Sequence, residues 1–218
     1  MIEERFRDFV GNRHRTLLAV GPMSVNCVDA AVSLAQKYRA PLMLIASRRQ
    51  VDAGEFGGGY VNRWTTQAFA EYVRSRPGGD GVLLARDHGG PWQNPVEEEQ
   101  GLTLGEAMDS ARRSYLSDIE AGFGILHIDP SVDVRGELTL EQVLERVFEL
   151  YAYCWEAAQR MGREVRFEVG TEEQKESVGT AEELEYVLRA IERFCASEKI
   201  AKPTFVVVQT GTRVVETR

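Results

Sequence analysis

Asp87 and His88 stand side by side, just after the apolar run Gly81–Ala85 and just before Gly89, Gly90 and Pro91. A carboxylate next to an imidazole can supply a general acid or base beside a metal ligand, and the flanking glycines permit close backbone approach. The same dipeptide also serves as a turn, with the aspartate capping and the histidine half-buried. Company on other strands weighs towards chemistry. His127 and Asp129 lie two apart in GILHIDPS, which puts them on one face of a regular strand with Ser131 close by. Packed among Ile125, Leu126 and Ile128, His127 also fits the pattern of a core histidine. Glu172 can complete a metal shell with His88 or hold a sugar hydroxyl, and next to Glu173 it equally suits a plain loop. A catalytic zinc takes three protein ligands. With only His14, His88 and His127 in the chain, and His14 ahead of the first strand, a three-histidine site is not expected.

Several other chemistries lack their motifs. The chain has no G-x-G-x-x-G turn, no G-x-x-x-x-G-K-[ST] and no G-x-S-x-G, so no nucleotide cofactor is expected. Gly57-Gly58-Gly59-Tyr60 lacks the lysine and helix start of a phosphate loop and reads as a flexible loop or flap. Glu97–Glu99 reads as a solvated charge run in a loop. Cys27 follows the first strand without a histidine base, the setting of a buried small residue.

Six apolar β-type runs must position these groups: Thr16–Gly21, Pro41–Ala46, Gly81–Ala85, Gly124–Ile128, Val165–Val169 and Thr204–Val208. Their near-continuous apolar character suits parallel strands covered on both faces. Helical patterns alternate with them near Val25–Tyr38, Thr66–Arg76, Leu104–Ala121, Leu140–Met161 and Ala181–Ser197, after one near Glu3–Val10. Thr103 precedes Glu106 by three, Thr139 precedes Gln142 and Thr180 precedes Glu183, the spacing of a capping box. The alternation predicts an α/β protein with right-handed crossovers. Two architectures fit: an open doubly wound parallel sheet, or a (β/α)8 barrel with about six of its units present. Ligand sites in both gather at the carboxyl ends of the strands. There the polar residues collect: Asn26 after the first run; Arg48 and Gln50 after the second; the groups at 87–88, 127–131 and 172; and Gln209 after the sixth.

The chain has 218 residues, 34 acidic against 26 basic side chains and a net charge of −8. That balance argues against a nucleic-acid binder. No apolar run reaches the ~20 residues needed to span a bilayer. The start, MIEERFRDFV, lacks the apolar core of a signal peptide, and Cys27, Cys154 and Cys195 are odd in number and far apart, which suits a reducing compartment. A cytoplasmic location is expected.

The stretches SVNCVDAAVSLA (24–35), LIASRRQVDAGEFGGGYVN (44–62), ARDHGGPWQN (85–94), AGFGILHIDPSVD (121–133), EVGTEE (168–173) and VVVQTGT (206–212) together resemble the Z-type subunits of class II tagatose-bisphosphate aldolases. That resemblance implies a TIM-type barrel in a single domain, 1–218, forming the N-terminal part of a longer family pattern. It implies Asp87 as the proton-transfer group and His88 as a ligand of a divalent metal, zinc or manganese; Glu172, from the reading of the residues above, is the candidate for a further ligand. Asp129 and Glu172 are then expected to join Asp87 in catalysis, while Asn26, Arg48, Gln50, His127, Ser131 and Gln209 hold substrate hydroxyls or phosphate. The implied activity is aldolase or ketose 4-epimerase chemistry on a ketose or ketose phosphate, or an accessory role to a catalytic aldolase subunit. Some members of the group carry a kinase name, which the missing phosphate loop does not support. Exposed sheet edges in a partial barrel further predict an oligomer or a covering partner.

Overall fold

The computed structural model describes residue 11, residues 16–171 and residues 180–208. Within them the chain alternates β1 (Ala19–Val20), α1 (Val25–Tyr38), β2 (Leu42–Ser47), α2 (Thr66–Ser75), β3 (Val82–Gly89), α3 (Pro95–Glu99), α4 (Leu104–Ala121), β4 (Ile125–Ile128), α5 (Leu140–Arg160), β5 (Arg166–Val169), α6 (Ala181–Glu198) and β6 (Phe205–Val206), with 3-10 turns at Gly54–Phe56 and Gly79–Gly81. The helix expected near Glu3–Val10 lies outside the described residues.

Each helix begins where a short polar side chain can take up an orphan N–H. The Ser24 hydroxyl accepts from the N–H of Cys27 and Thr65 from that of Ala68, while Thr103, Thr139 and Thr180 close full capping boxes with Glu106, Gln142 and Glu183. Each such cap contributes about 1 kcal/mol. At the end of α4, Gly122 takes φ 80°, the left-handed conformation that stops a helix.

All six strands pair in parallel, in the order β1-β2-β3-β4-β5-β6. The order never reverses. A doubly wound sheet requires a reversal to put helices on both faces, so that alternative is excluded, and the strands form a curled half-barrel of the TIM type. Period-two alternation sorts the strand residues. Leu42, Leu44, Val82, Leu84, Leu126, Ile128, Phe167 and Val169 pack against the helices, while Met43, Leu83, Ala85 and Ile125 form a second cluster on the other, concave face. The concave side chains at the carboxyl ends of β3, β4 and β5 are, by the same alternation, Asp87, His127 and Glu168.

Under the rim, between sheet and helices, lies a buried polar layer. Arg86 donates to both carboxylate oxygens of Asp118 at 2.8 and 2.6 Å and to the carbonyls of Ala46 and Val51. Arg48 pairs with Asp52 at 2.9 Å and Glu97 at 2.6 Å, and Ser114 and Asn94 also donate to Asp52. This corrects the reading of Glu97–Glu99 as a solvated loop at Glu97 alone, since Glu98 and Glu99 are exposed. The segment is helical, and Glu97 is 2% exposed because its carboxylate takes up Arg48, Ser110 and the N–H of Trp92.

Candidate functional site

Strand β3 runs two pairs further than its apolar run suggests, so Asp87 and His88 sit within the strand and not past its end. Ordinary alternation would send His88 to the helix side. The register between β3 and β4 shifts between Arg86 and Gly89, and His88 takes φ 42°. A non-glycine residue in this region costs on the order of 1 kcal/mol and persists only where its surroundings hold it. Here the irregularity turns the imidazole back over the concave face beside Asp87.

What holds it is Asp129. The Nδ1 of His88 lies 2.6 Å from Asp129 Oδ2, and the other oxygen of Asp129 accepts from the Ser131 hydroxyl at 2.5 Å. With Nδ1 engaged, His88 Nε2 faces Asp87 Oδ1 at 3.6 Å. On β4, His127 Nδ1 accepts the N–H of His88 at 3.2 Å and lies 3.7 Å from Asp87 Oδ1 and 3.9 Å from Glu168 Oε2. The two imidazole rings are tilted at 44° with centroids 5.1 Å apart. Tyr115 of α4 reaches under the sheet to donate to the carbonyl of His127 at 2.7 Å. His127 Nε2 is buried without a hydrogen-bond partner.

Three electrostatic shifts follow. The hydrogen bond that His88 donates to Asp129 raises the pKa of His88 to about 9, against burial and with help from Asp87. Burial works to raise Asp129, but its bonds with His88 and Ser131 and the nearby His127 hold it below the usual carboxylate range. Burial pushes Glu168 up, only partly offset by His127. Carboxylates pushed in opposite directions within one site are a recurrent acid/base arrangement.

Ligand atoms of Asp87, His88 and His127 all lie within 4.8 Å of one another. One carboxylate and two imidazoles form a three-ligand set that suits a divalent cation, and Asp129 orients His88 from behind as an outer partner does for a metal ligand. The donor set therefore fits the metal that the sequence resemblance implies.

Of the expected site residues, Asp87, His88, His127, Asp129 and Ser131 come together. Gln50 lines the adjoining cleft, its Oε1 accepting from the N–H of Ser47 at 2.9 Å. Arg48 does not reach the cleft. Its side chain is fully buried in the polar layer beneath. Asn26 is exposed on the first turn of α1. Glu172 and Gln209 lie outside the described residues. Glu168 was missed, although its place in RFEV, level with His127 in the strand pairing, follows from alternation alone. In the glycine stretch, Gly59 is held close, since a Cβ there would fall 2.0 Å from the carbonyl oxygen of Gln50, while Gly57 has open space around it. All three cysteines are free thiols, as expected. No helix among the described residues is long and apolar enough to cross a membrane.

A family model described as D-tagatose-1,6-bisphosphate aldolase subunit GatZ/KbaZ-like matches residues 8–212. No curated protein matches. Among solved structures, a probable tagatose 6 phosphate kinase from Sinorhizobium meliloti 1021 is similar with a TM-score of 0.71 and 25% identity, over 89% of this chain and 49% of that one. A fructose-bisphosphate aldolase from Campylobacter jejuni is similar with a TM-score of 0.60 and 16% identity, over 99% of this chain and 59% of that one, a likeness of fold. This chain thus spans about half the length of the first of these proteins.

Proposed function

We propose, from the premise that this chain belongs to the D-tagatose-1,6-bisphosphate aldolase subunit GatZ/KbaZ-like family, that its rim site binds a ketose or ketose phosphate beside a divalent cation for aldol-type chemistry. The single observation that carries this reading is the convergence of Asp87, His88 and His127 within 4.8 Å, on the concave face at the carboxyl ends of parallel strands, where barrels place their active sites.

Asp87, His88 and His127 would hold the cation. When bound, the cation supplies a Lewis acid for the sugar carbonyl. The remaining work falls to the chain. Asp129 keeps the Nδ1 proton of His88 in place and so directs Nε2 outward. Glu168, its carboxyl raised by burial, is the group placed to take and return a proton at a sugar hydroxyl. Gln50 and Ser47 are placed along the cleft to meet further hydroxyls. The role first expected of Glu172, as ligand and catalytic carboxylate, remains part of the proposal for the segment after β5.

Titration of Mn or Zn into the metal-free protein tests this reading, with His88→Ala as control and turnover of D-tagatose-1,6-bisphosphate as the functional readout. Saturable binding lost in the variant, together with metal-dependent cleavage or epimerisation, supports it. Absence of both removes it.

The family description names an aldolase subunit, and this favours a second reading in which the chain stabilises a catalytic aldolase and does no chemistry. In that case mixing with a class II aldolase lengthens the half-life of that enzyme, and Asp87→Asn leaves the effect intact.

A further inference from the structure

Strand β3 carries one residue more than its pairing with β4 needs. Ala85 meets Ile125 and Arg86 meets Leu126 in step. Continued, that step would set His88 opposite Ile128 with its side chain on the helix side. Gly89 stands there instead, and the N–H of Asp129 donates to the carbonyl of Gly89 at 2.7 Å. His88 is the residue squeezed out of the ladder, at φ 42°, and its own N–H turns to His127 Nδ1.

The place opposite Ile128 has no room for a side chain. A Cβ on Gly89 would lie 2.3 Å from the hydroxyl oxygen of Tyr115 and 2.4 Å from its Cε1 and Cζ, far inside van der Waals contact. The tip of that ring already fills the space. Gly89 does not sit in the left-handed region, so the limit is set by the ring and not by the backbone. An imidazole in the regular register would collide with it harder than a methyl group does.

Tyr115 is poorly able to give way. It is 1% exposed in the core between sheet and helices, and its hydroxyl is committed to the carbonyl of His127 at 2.7 Å. Its helix is tied down on both sides of it. Asp118 holds Arg86, the last residue of β3 before the register shifts, and Ser114 donates to Asp52 at 2.6 Å. With the strand anchored at Arg86 and the ring fixed beyond it, an extra residue that brings glycine opposite Ile128 relieves the clash.

We propose that Tyr115 is a positioning residue for the rim site: its ring excludes a side chain opposite Ile128, makes β3 bulge, and so delivers His88 to the concave face where Asp129 receives it. This rests on the reading of the rim as a cation site and adds the side chain that builds it.

The test uses the full chain with four changes. Tyr115→Phe keeps Cε1 and Cζ and loses only the hydroxyl. Tyr115→Leu removes the ring tip and keeps an apolar side chain. Tyr115→Leu with Gly89→Ala returns a carbon to the place the ring tip left. Tyr151→Leu is the control, at a tyrosine equally buried, whose hydroxyl donates to the carbonyl of Ala201 at 2.8 Å. Proton NMR of the metal-free protein reads the downfield signal of the His88 Nδ1 proton held by Asp129, identified by its loss in His88→Ala. Calorimetry reads Mn affinity.

Tyr115→Phe is expected to keep both the signal and the affinity. Tyr115→Leu loses the signal and binds Mn at least about tenfold more weakly, and the double variant regains both. Tyr151→Leu lowers Tm as Tyr115→Leu does, yet keeps both. Should Tyr115→Leu not fold, Tyr115→Met gives the same reading, because a flexible thioether moves aside where a ring does not. The proposal is overturned if the signal and affinity survive in Tyr115→Leu, or if Tyr151→Leu loses them equally. Failure of the unaltered chain to bind Mn removes the cation reading, and the NMR comparison still decides the positioning.

Discussion

His88 Nδ1 and Asp129 Oδ2 lie 2.6 Å apart, although Asp129 follows the end of the neighbouring strand β4 and His88 should by alternation face away. The strand irregularity that makes the contact has one evident effect: an imidazole whose proton is fixed on one nitrogen and whose other nitrogen is aimed at Asp87. Removing the carboxylate should undo this. Asp129→Asn is expected to weaken Mn or Zn binding by about 10- to 100-fold, the usual cost of losing such an outer partner. It should also bring the titration of His88 down from about 9 towards 6.5. Calorimetry and a histidine NMR titration read the two effects separately. Unchanged metal affinity would show that Asp129 orients nothing.

The same contact sets a pH dependence. His88 has a folded pKa of about 9 against 6.5 for a free side chain. Its contribution is therefore complete below about pH 6.5 and is lost as pH rises through about 9. Asp129 is the other partner in the same bond and is depressed, so the contribution also disappears as pH falls through its lowered value. Urea unfolding of the metal-free protein across this range is expected to show the unaltered chain losing its advantage over Asp129→Asn at high pH. A bound cation must displace the Nε2 proton of the His88 imidazolium while the Nδ1 proton stays with Asp129, so metal affinity should rise with pH up to about 9.

Gly170 follows β5, and a Cβ placed there would lie 2.5 Å from His127 Nε2 and 3.4 Å from Asp129 Cβ. Its φ is not in the left-handed region, so alanine is compatible with the backbone and the strain falls on the imidazole. Gly170→Ala is expected to cost about 1–3 kcal/mol of stability as a small overpacking change and to abolish metal binding by moving His127 from Asp87. Circular dichroism should still show the folded α/β signature. Metal binding that survives would mean His127 is not a ligand.

Much of this arrangement was legible in the sequence, for identifiable reasons. The start of each long helix is marked by Thr103, Thr139 or Thr180 with its partner three residues on, and these signals are local. His127 and Asp129 share a face because two-residue spacing on a strand leaves no choice, and Glu168 follows by the same rule once β5 is in register with β4. Arg48 and Arg49 show where the reading fails. Adjacent identical side chains differ here because Glu97 and Ser110 arrive from elsewhere in the fold to join Asp52 in burying the first, and the remote partners leave no local mark. Glu97 was mistaken for solvent-facing for the same reason, since its partner lies 49 residues away. The inward turn of His88 depends on a register shift against β4, a property of the pair of strands and not of either one.

The buried pair of Arg86 and Asp118 is the strongest expected determinant of rim stability. Both side chains are 0% exposed, and Arg86 also holds the carbonyls of Ala46 and Val51 at 2.9 and 2.7 Å. It thereby ties the end of β2 and its following loop, which carry Ser47, Arg49 and Gln50, to α4. Asp118→Ala leaves a buried guanidinium without its carboxylate, a change that costs roughly 3–5 kcal/mol. The double variant Arg86→Met with Asp118→Leu removes both charges and should cost markedly less, because neither ion is then stranded. It also releases the two carbonyls, so it should still loosen the cleft. Chemical denaturation of the two variants gives the first comparison, and titration with Mn or Zn gives the second. Equal destabilisation by the single and double variants would show that the two carbonyl contacts of Arg86, and not its pairing with Asp118, carry the stability of this layer.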